Sequence, residues 1–102
     1  MLARPDLDEA GKILVMAADH VERYGWCQLG LAAPGIGNNN ERCALMAIWA
    51  QGNNNDAVDA ANRLARYLGF TERKQVVHWN DTPERTKEEV ISALREAAYF
   101  RD

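Results

Sequence analysis

The sequence predicts an all-α fold: about four short helices packed irregularly around a central apolar helix. Three observations predict it. Apolar residues near both ends recur at the three-to-four spacing of a helix. The run Cys43 to Ala50 is apolar throughout and rich in Ala, Leu and Met, which favour helix over strand. No segment reads unambiguously as a strand. With 102 residues and no internal repeat, the chain is expected to form a single helical domain over residues 1–102.

Helix one is expected to start near Asp6, with Glu9 closing a capping box. Leu7, Ala10, Ile13, Leu14, Ala17, Val21 and Tyr24 then fall on one arc, opposite Asp8, Lys12, Asp19 and Arg23. Gly25 is its natural stop. Residues Leu29 to Asn40 read as a loop, punctuated by Pro34, Gly35, Gly37 and an Asn run.

Helix two is expected over Glu41 to Gln51 and, lacking a polar face, at the centre of the core. A turn at Gly52 to Asn55 precedes helix three, about Asp56 to Leu68. Ala57, Ala61, Leu64, Ala65 and Leu68 share its buried face. Asp59 and Arg63 stand one turn apart and can pair. Gly69 ends the helix. Gln75 to Trp79 is ambiguous between extended chain and a helical turn. Asn80 to Pro83 is a turn, and the last helix starts at Thr86 with Glu89 completing a second capping box. Val90, Ile91, Leu94, Ala97 and Ala98 form its buried face.

Composition narrows the function classes. A hydrophobic fraction of 47% and a charged fraction of 26% are those of a folded globule rather than a disordered chain. The formal net charge of -3 argues against general nucleic-acid or anionic-membrane binding. The start lacks a secretory apolar region, and the longest apolar run, Ile13 to Ala18, is too short to span a bilayer. A cytoplasmic protein is therefore expected. Two cysteines, Cys27 and Cys43, are too few for a disulfide scaffold and read as buried reduced thiols.

The residue types that could carry chemistry give no catalytic set. Cys27, Cys43, His20 and His78 match no zinc-ligand spacing, so no metal or cofactor is expected. Gly35 to Asn40 lacks the third glycine and the preceding strand of a dinucleotide-binding turn. Helix two, the turn and helix three imitate a helix-turn-helix. Asp56 and Asp59 at the start of the second helix disfavour DNA.

What remains is a polar cluster beside tryptophans: Trp26, Gln28, Trp79, Asn80, Asp81 and Arg85. An indole N–H needs a partner when buried, and Asp81 can pair with Arg85 or accept backbone N–H groups. The structural reading is a knot that holds the third and last helices together. The functional reading is a small concave ligand or interface site floored by Trp79 and rimmed by Asn80, Asp81 and Arg85.

The combination of Gly25-Trp26-Cys27-Gln28, Cys43-Ala44-Leu45 and Trp79-Asn80-Asp81 with Pro83, Arg85-Thr86 and Glu89-Val90 resembles an uncharacterised family of small bacterial and phage proteins, a domain of unknown function. The resemblance runs over most of the chain. It implies a common fold and no established activity.

The expected function is thus a small acidic, non-enzymatic module that binds another protein. Asp8, Asp19 and Glu22 on helix one, and Glu84, Glu88 and Glu96 near the last helix, are the candidate acidic contacts. Should the chain come from a phage or mobile element, an anti-CRISPR-like inhibitor of host defence fits its size and charge. The alternative is a small-ligand or enzymatic site at Trp79, Asn80, Asp81 and Arg85.

Overall fold

The computed structural model describes residues 7–28, 43–52 and 55–101. Among the described residues there are five helices and no strand: α1 Glu9–Tyr24, α2 Ala44–Trp49, α3 Asn55–Tyr67, α4 Lys74–Asn80 and α5 Lys87–Ala97. The all-α expectation holds. The fifth helix comes from the ambiguous stretch before Asn80.

Each helix end has a local cause. Asp8 caps α1, its carboxylate accepting the N–H of Gly11 at 2.9 Å. The expected cap at Asp6 lies outside the described residues, as do the Gly35 to Asn40 turn and the expected start of helix two at Glu41. Gly25 ends α1 with φ 109°, a backbone region open to glycine. The Cys43 sulfur caps α2, accepting the Met46 N–H at 3.4 Å. Gly69 follows α3 at φ 86°. The Thr86–Glu89 capping box at the start of α5 is present in both halves.

Helix α4 forms because helical spacing sends Val76 and Asn80 to the interior together, while Val77 points outward and is 41% exposed. Its entry is tied by Gln75, whose side-chain oxygen accepts the backbone N–H groups of Thr71 and Glu72 at 3.0 and 2.9 Å.

Helix α1 packs against α2, α3 and α5, most extensively against α5. Among the described residues more than half of the buried apolar ones are alanines, so the helices approach closely and a few larger side chains fill the rest. Leu14, Ile48, Leu64 and Leu94 are fully buried and carry most of this interior, each worth about 1.5–3 kcal/mol of transfer free energy. Helix α2 is not the centre that its apolar run suggested: Ala44, Ala47 and Ile48 are fully buried, but Met46 lies outward and the hub of the packing is α1.

A polar latch ties α3 to the start of α1. Both terminal nitrogens of the Arg63 guanidinium on α3, Nη1 and Nη2, reach the two oxygens of Asp8, at 2.8 and 2.5 Å. Arg63 was expected to meet Asp59 one turn back on its own helix. Its reach to Asp8 links α3 to the start of α1, and a longer contact of 3.4 Å adds the Ala98 carbonyl behind α5.

Candidate functional site

Asn80, the last residue of α4, is the one buried polar residue among those described, at 1% exposure. An amide side chain offers two acceptor sites and two N–H donors. All four are used. The oxygen accepts the Trp26 indole N–H at 2.8 Å and the Ala44 backbone N–H at 3.1 Å. The nitrogen donates to the Cys27 carbonyl at 3.1 Å and to Asp81 at 3.0 Å. One side chain thereby joins the chain after α1, the start of α2 and the end of α4. The two backbone partners fix which end of the amide is oxygen.

The neighbouring candidates cap α4. The last carbonyls of a helix lack partners within it. Here the Asn80 carbonyl accepts Gln28 Nε2 at 3.2 Å, and the same nitrogen donates to the Thr82 carbonyl at 2.8 Å. The Trp79 carbonyl accepts Arg85 Nε at 3.0 Å, and the His78 carbonyl accepts the Thr82 hydroxyl at 3.0 Å. Trp26, Gln28, Asn80 and Asp81 thus form an internal network. No buried side-chain nitrogen or oxygen among the described residues is left without a partner.

Trp79 and Arg85 are not among the partners of the Asn80 amide. The Trp79 ring is half-buried, and the Arg85 guanidinium lies over it with 4.4 Å to the ring centroid. The carboxylate that pairs with Arg85 is Glu89, at 2.9 Å from Nη1. Hydrogen bonds from the Thr86 N–H and hydroxyl, then from Arg85, hold the Glu89 carboxyl below its usual range. Beside this stack runs an open groove of about 400 Å³ lined by Phe70, Gln75, His78, Trp79, Thr82 and Arg85. Phe70, Gln75, His78 and Thr82 were not among the expected site residues. The one available signal was the Thr71-to-Gln75 spacing, which suits a side chain folded back over a helix start.

The acidic candidates divide in two. Asp8 is paired with Arg63, whose hydrogen bond holds that carboxyl well below the ordinary aspartate range. Asp19 and Glu22 both pair with Arg95 of α5, at 3.2 and 2.6 Å. Glu84, Glu88 and Glu96 are exposed and take part in no ion pair with the described residues.

The thiols and the start of α3 show little sign of chemistry. Neither cysteine is in a disulfide; Cys27 is buried as expected, whereas Cys43 is only partly buried. Burial pushes the Cys43 thiol above its usual range, which suppresses the nucleophilic thiolate. Among the described residues no three His, Cys, Asp or Glu side chains gather as a metal site would require. The first turns of α3 face a notch in which Asp8, Glu9, Asp56 and Asp59 outnumber Arg63 and Arg66. No helix is long and apolar enough to cross a membrane among the described residues.

A family model described as a family of unknown function (DUF6197) matches residues 5–100. No curated protein and no solved structure matches the chain.

Proposed function

The chain belongs to the DUF6197 family of unknown function, and we propose that it is a non-enzymatic protein-interaction module whose contact surface is the face around Trp79 and Arg85. One observation carries this reading. The polar candidates split into an inward set, Trp26, Gln28 and Asn80, with its hydrogen bonds spent internally, and an outward Trp–Arg stack beside an open groove. Tryptophan and arginine dominate the energetics of protein contacts, because each presents a large, stiff surface with a polar edge. A ligand site needing Asn80 is disfavoured, since its amide has no group to offer.

A phage-borne, anti-CRISPR-like inhibitor is the narrower form of this proposal. Glu84, Glu88 and Glu96 are then the contacts for a basic channel, because Asp8, Asp19 and Glu22 are already held by arginines.

Affinity capture from the source cell tests the module reading. The native chain is compared with Arg85→Ala, His78→Ala and a triple charge reversal of Glu84, Glu88 and Glu96, each checked for an unchanged circular dichroism spectrum. The expected result is a specific partner whose recovery falls at least fivefold with Arg85→Ala and His78→Ala. Equal recovery with all variants contradicts the assigned face. Loss only with the charge reversal moves the contact to the carboxylates.

A further inference from the structure

The groove beside Trp79 is lined by hydrogen-bond donors that the fold leaves unused. The Gln75 oxygen accepts Thr71 N–H, Thr71 hydroxyl and Glu72 N–H, which identifies that end of the amide as oxygen. Its Nε2 group makes no hydrogen bond with the described residues. Arg85 spends Nε on the Trp79 carbonyl and Nη1 on Glu89, and Nη2 likewise has no partner among them. The His78 ring is exposed and has none either. None of the six lining residues is an acid, and the acid nearest in contact is Glu89, which holds the Nη1 side of Arg85. Phe70 and the Trp79 ring supply apolar wall between these donors.

Resting on the interaction reading above, we infer that this groove takes a peptide segment bearing one carboxylate next to an apolar side chain. The carboxylate answers the unused donors of Arg85, Gln75 and His78. The apolar group covers Phe70 and Trp79. An ionised acceptor against the remaining Arg85 nitrogen, Nη2, gives the stronger class of hydrogen bond. A run of several acids fits less well, because exposed Glu84 precedes Arg85 in the chain and Glu88 lines the cavity on the other side of Trp79.

The probes are N-acetylphenylalanine, which has the carboxylate and a ring, and N-acetylphenylalaninamide, which has the ring alone. Titration followed by amide and side-chain NMR shifts reads the site directly. A ligand this small is expected to saturate with a Kd on the order of 1 mM, given the usual ceiling on affinity per atom. Shifts are expected at Phe70, Gln75, His78, the Trp79 indole and Arg85 Nε. The amide probe is expected to bind at least fivefold more weakly.

Gln75→Glu is the decisive variant. It keeps the acceptor that holds Thr71 and Glu72, and a negative charge suits that helix start, so the fold is retained. It replaces the free donor with a carboxylate oxygen, and N-acetylphenylalanine binding is expected to fall at least fivefold. Equal binding of both probes, undiminished binding by Gln75→Glu, or shifts confined to another surface each overturn the inference. If a partner is still captured through Arg85 and His78 while these probes fail, the carboxylate assignment falls and the interaction module stands.

Discussion

The Trp26 indole donates its N–H to the Asn80 side-chain oxygen at 2.8 Å, across 54 residues of sequence. The contact fixes the chain leaving α1 against the last turn of α4. Trp26→Phe keeps most of the ring and removes the donor. Asn80 then retains Ala44 as its remaining donor to that oxygen. A loss of about 1 kcal/mol in urea unfolding is expected, the net value of one such bond. No loss would mean that water replaces the indole without cost.

The Asp8–Arg63 pair predicts a pH-dependent term. The Asp8 carboxyl is held below its ordinary value, first by the Arg63 hydrogen bond. A depressed folded value means full stabilisation above the unfolded aspartate value of about 3.9. That stabilisation disappears as the pH falls through the folded value. Asp8→Asn retains a good helix cap while removing the charge. Asp8 is half-exposed, and after solvent screening the variant is expected to lose on the order of 1 kcal/mol at pH 7. The gap between variant and native protein should close as the pH is taken well below 4. Denaturation midpoints across pH measure it.

Gly11 sits where α1 meets the end of α5. A Cβ there would lie 2.8 Å from the Ala98 carbonyl oxygen, which is backbone and cannot swing aside. Alanine would gain about 1 kcal/mol of intrinsic helix propensity. The enforced separation of packed helices costs more, typically about 1–3 kcal/mol for overpacking. Gly11→Ala is therefore expected to lower the melting temperature. An increase would show that α5 yields freely at this point.

Both thiols should be slow to react in the native protein. Cys27 is buried, and burial raises the Cys43 thiol, whose sulfur also caps α2. With a disulfide reagent at pH 8, modification is expected to be at least tenfold slower than in denaturant. A rapid native reaction at one site would place a reactive thiol at the surface.

The features legible in the sequence were the local ones. Gly25, Gly69 and the Thr86–Glu89 box mark helix ends through interactions only a few residues long. The cap of α1 at Asp8 is also reinforced by Arg63 from another helix. Helix α4 stayed ambiguous because two valines favour extended chain, whereas burial of Val76 with Asn80 decides for helix. The cluster of Trp26, Gln28 and Asn80 was visible from residue type, since an indole and two amides need partners. Its inward direction was not, because that depends on where Cys27 and Ala44 present backbone groups. The groove residues Phe70, Gln75 and His78 become neighbours only once α4 is helical.

The division between an inward Asn80 network and an outward Trp79–Arg85 face is tested most directly by the unfolding free energy of Asn80→Ala. That change strands the Trp26 and Ala44 N–H groups and the Cys27 carbonyl. Each buried unsatisfied group costs about 1–3 kcal/mol. A loss of at least about 3 kcal/mol, or failure to fold, is expected. A soluble, folded variant within about 0.5 kcal/mol of the native protein would contradict it, and would return Asn80 to the list of residues kept for binding rather than for architecture.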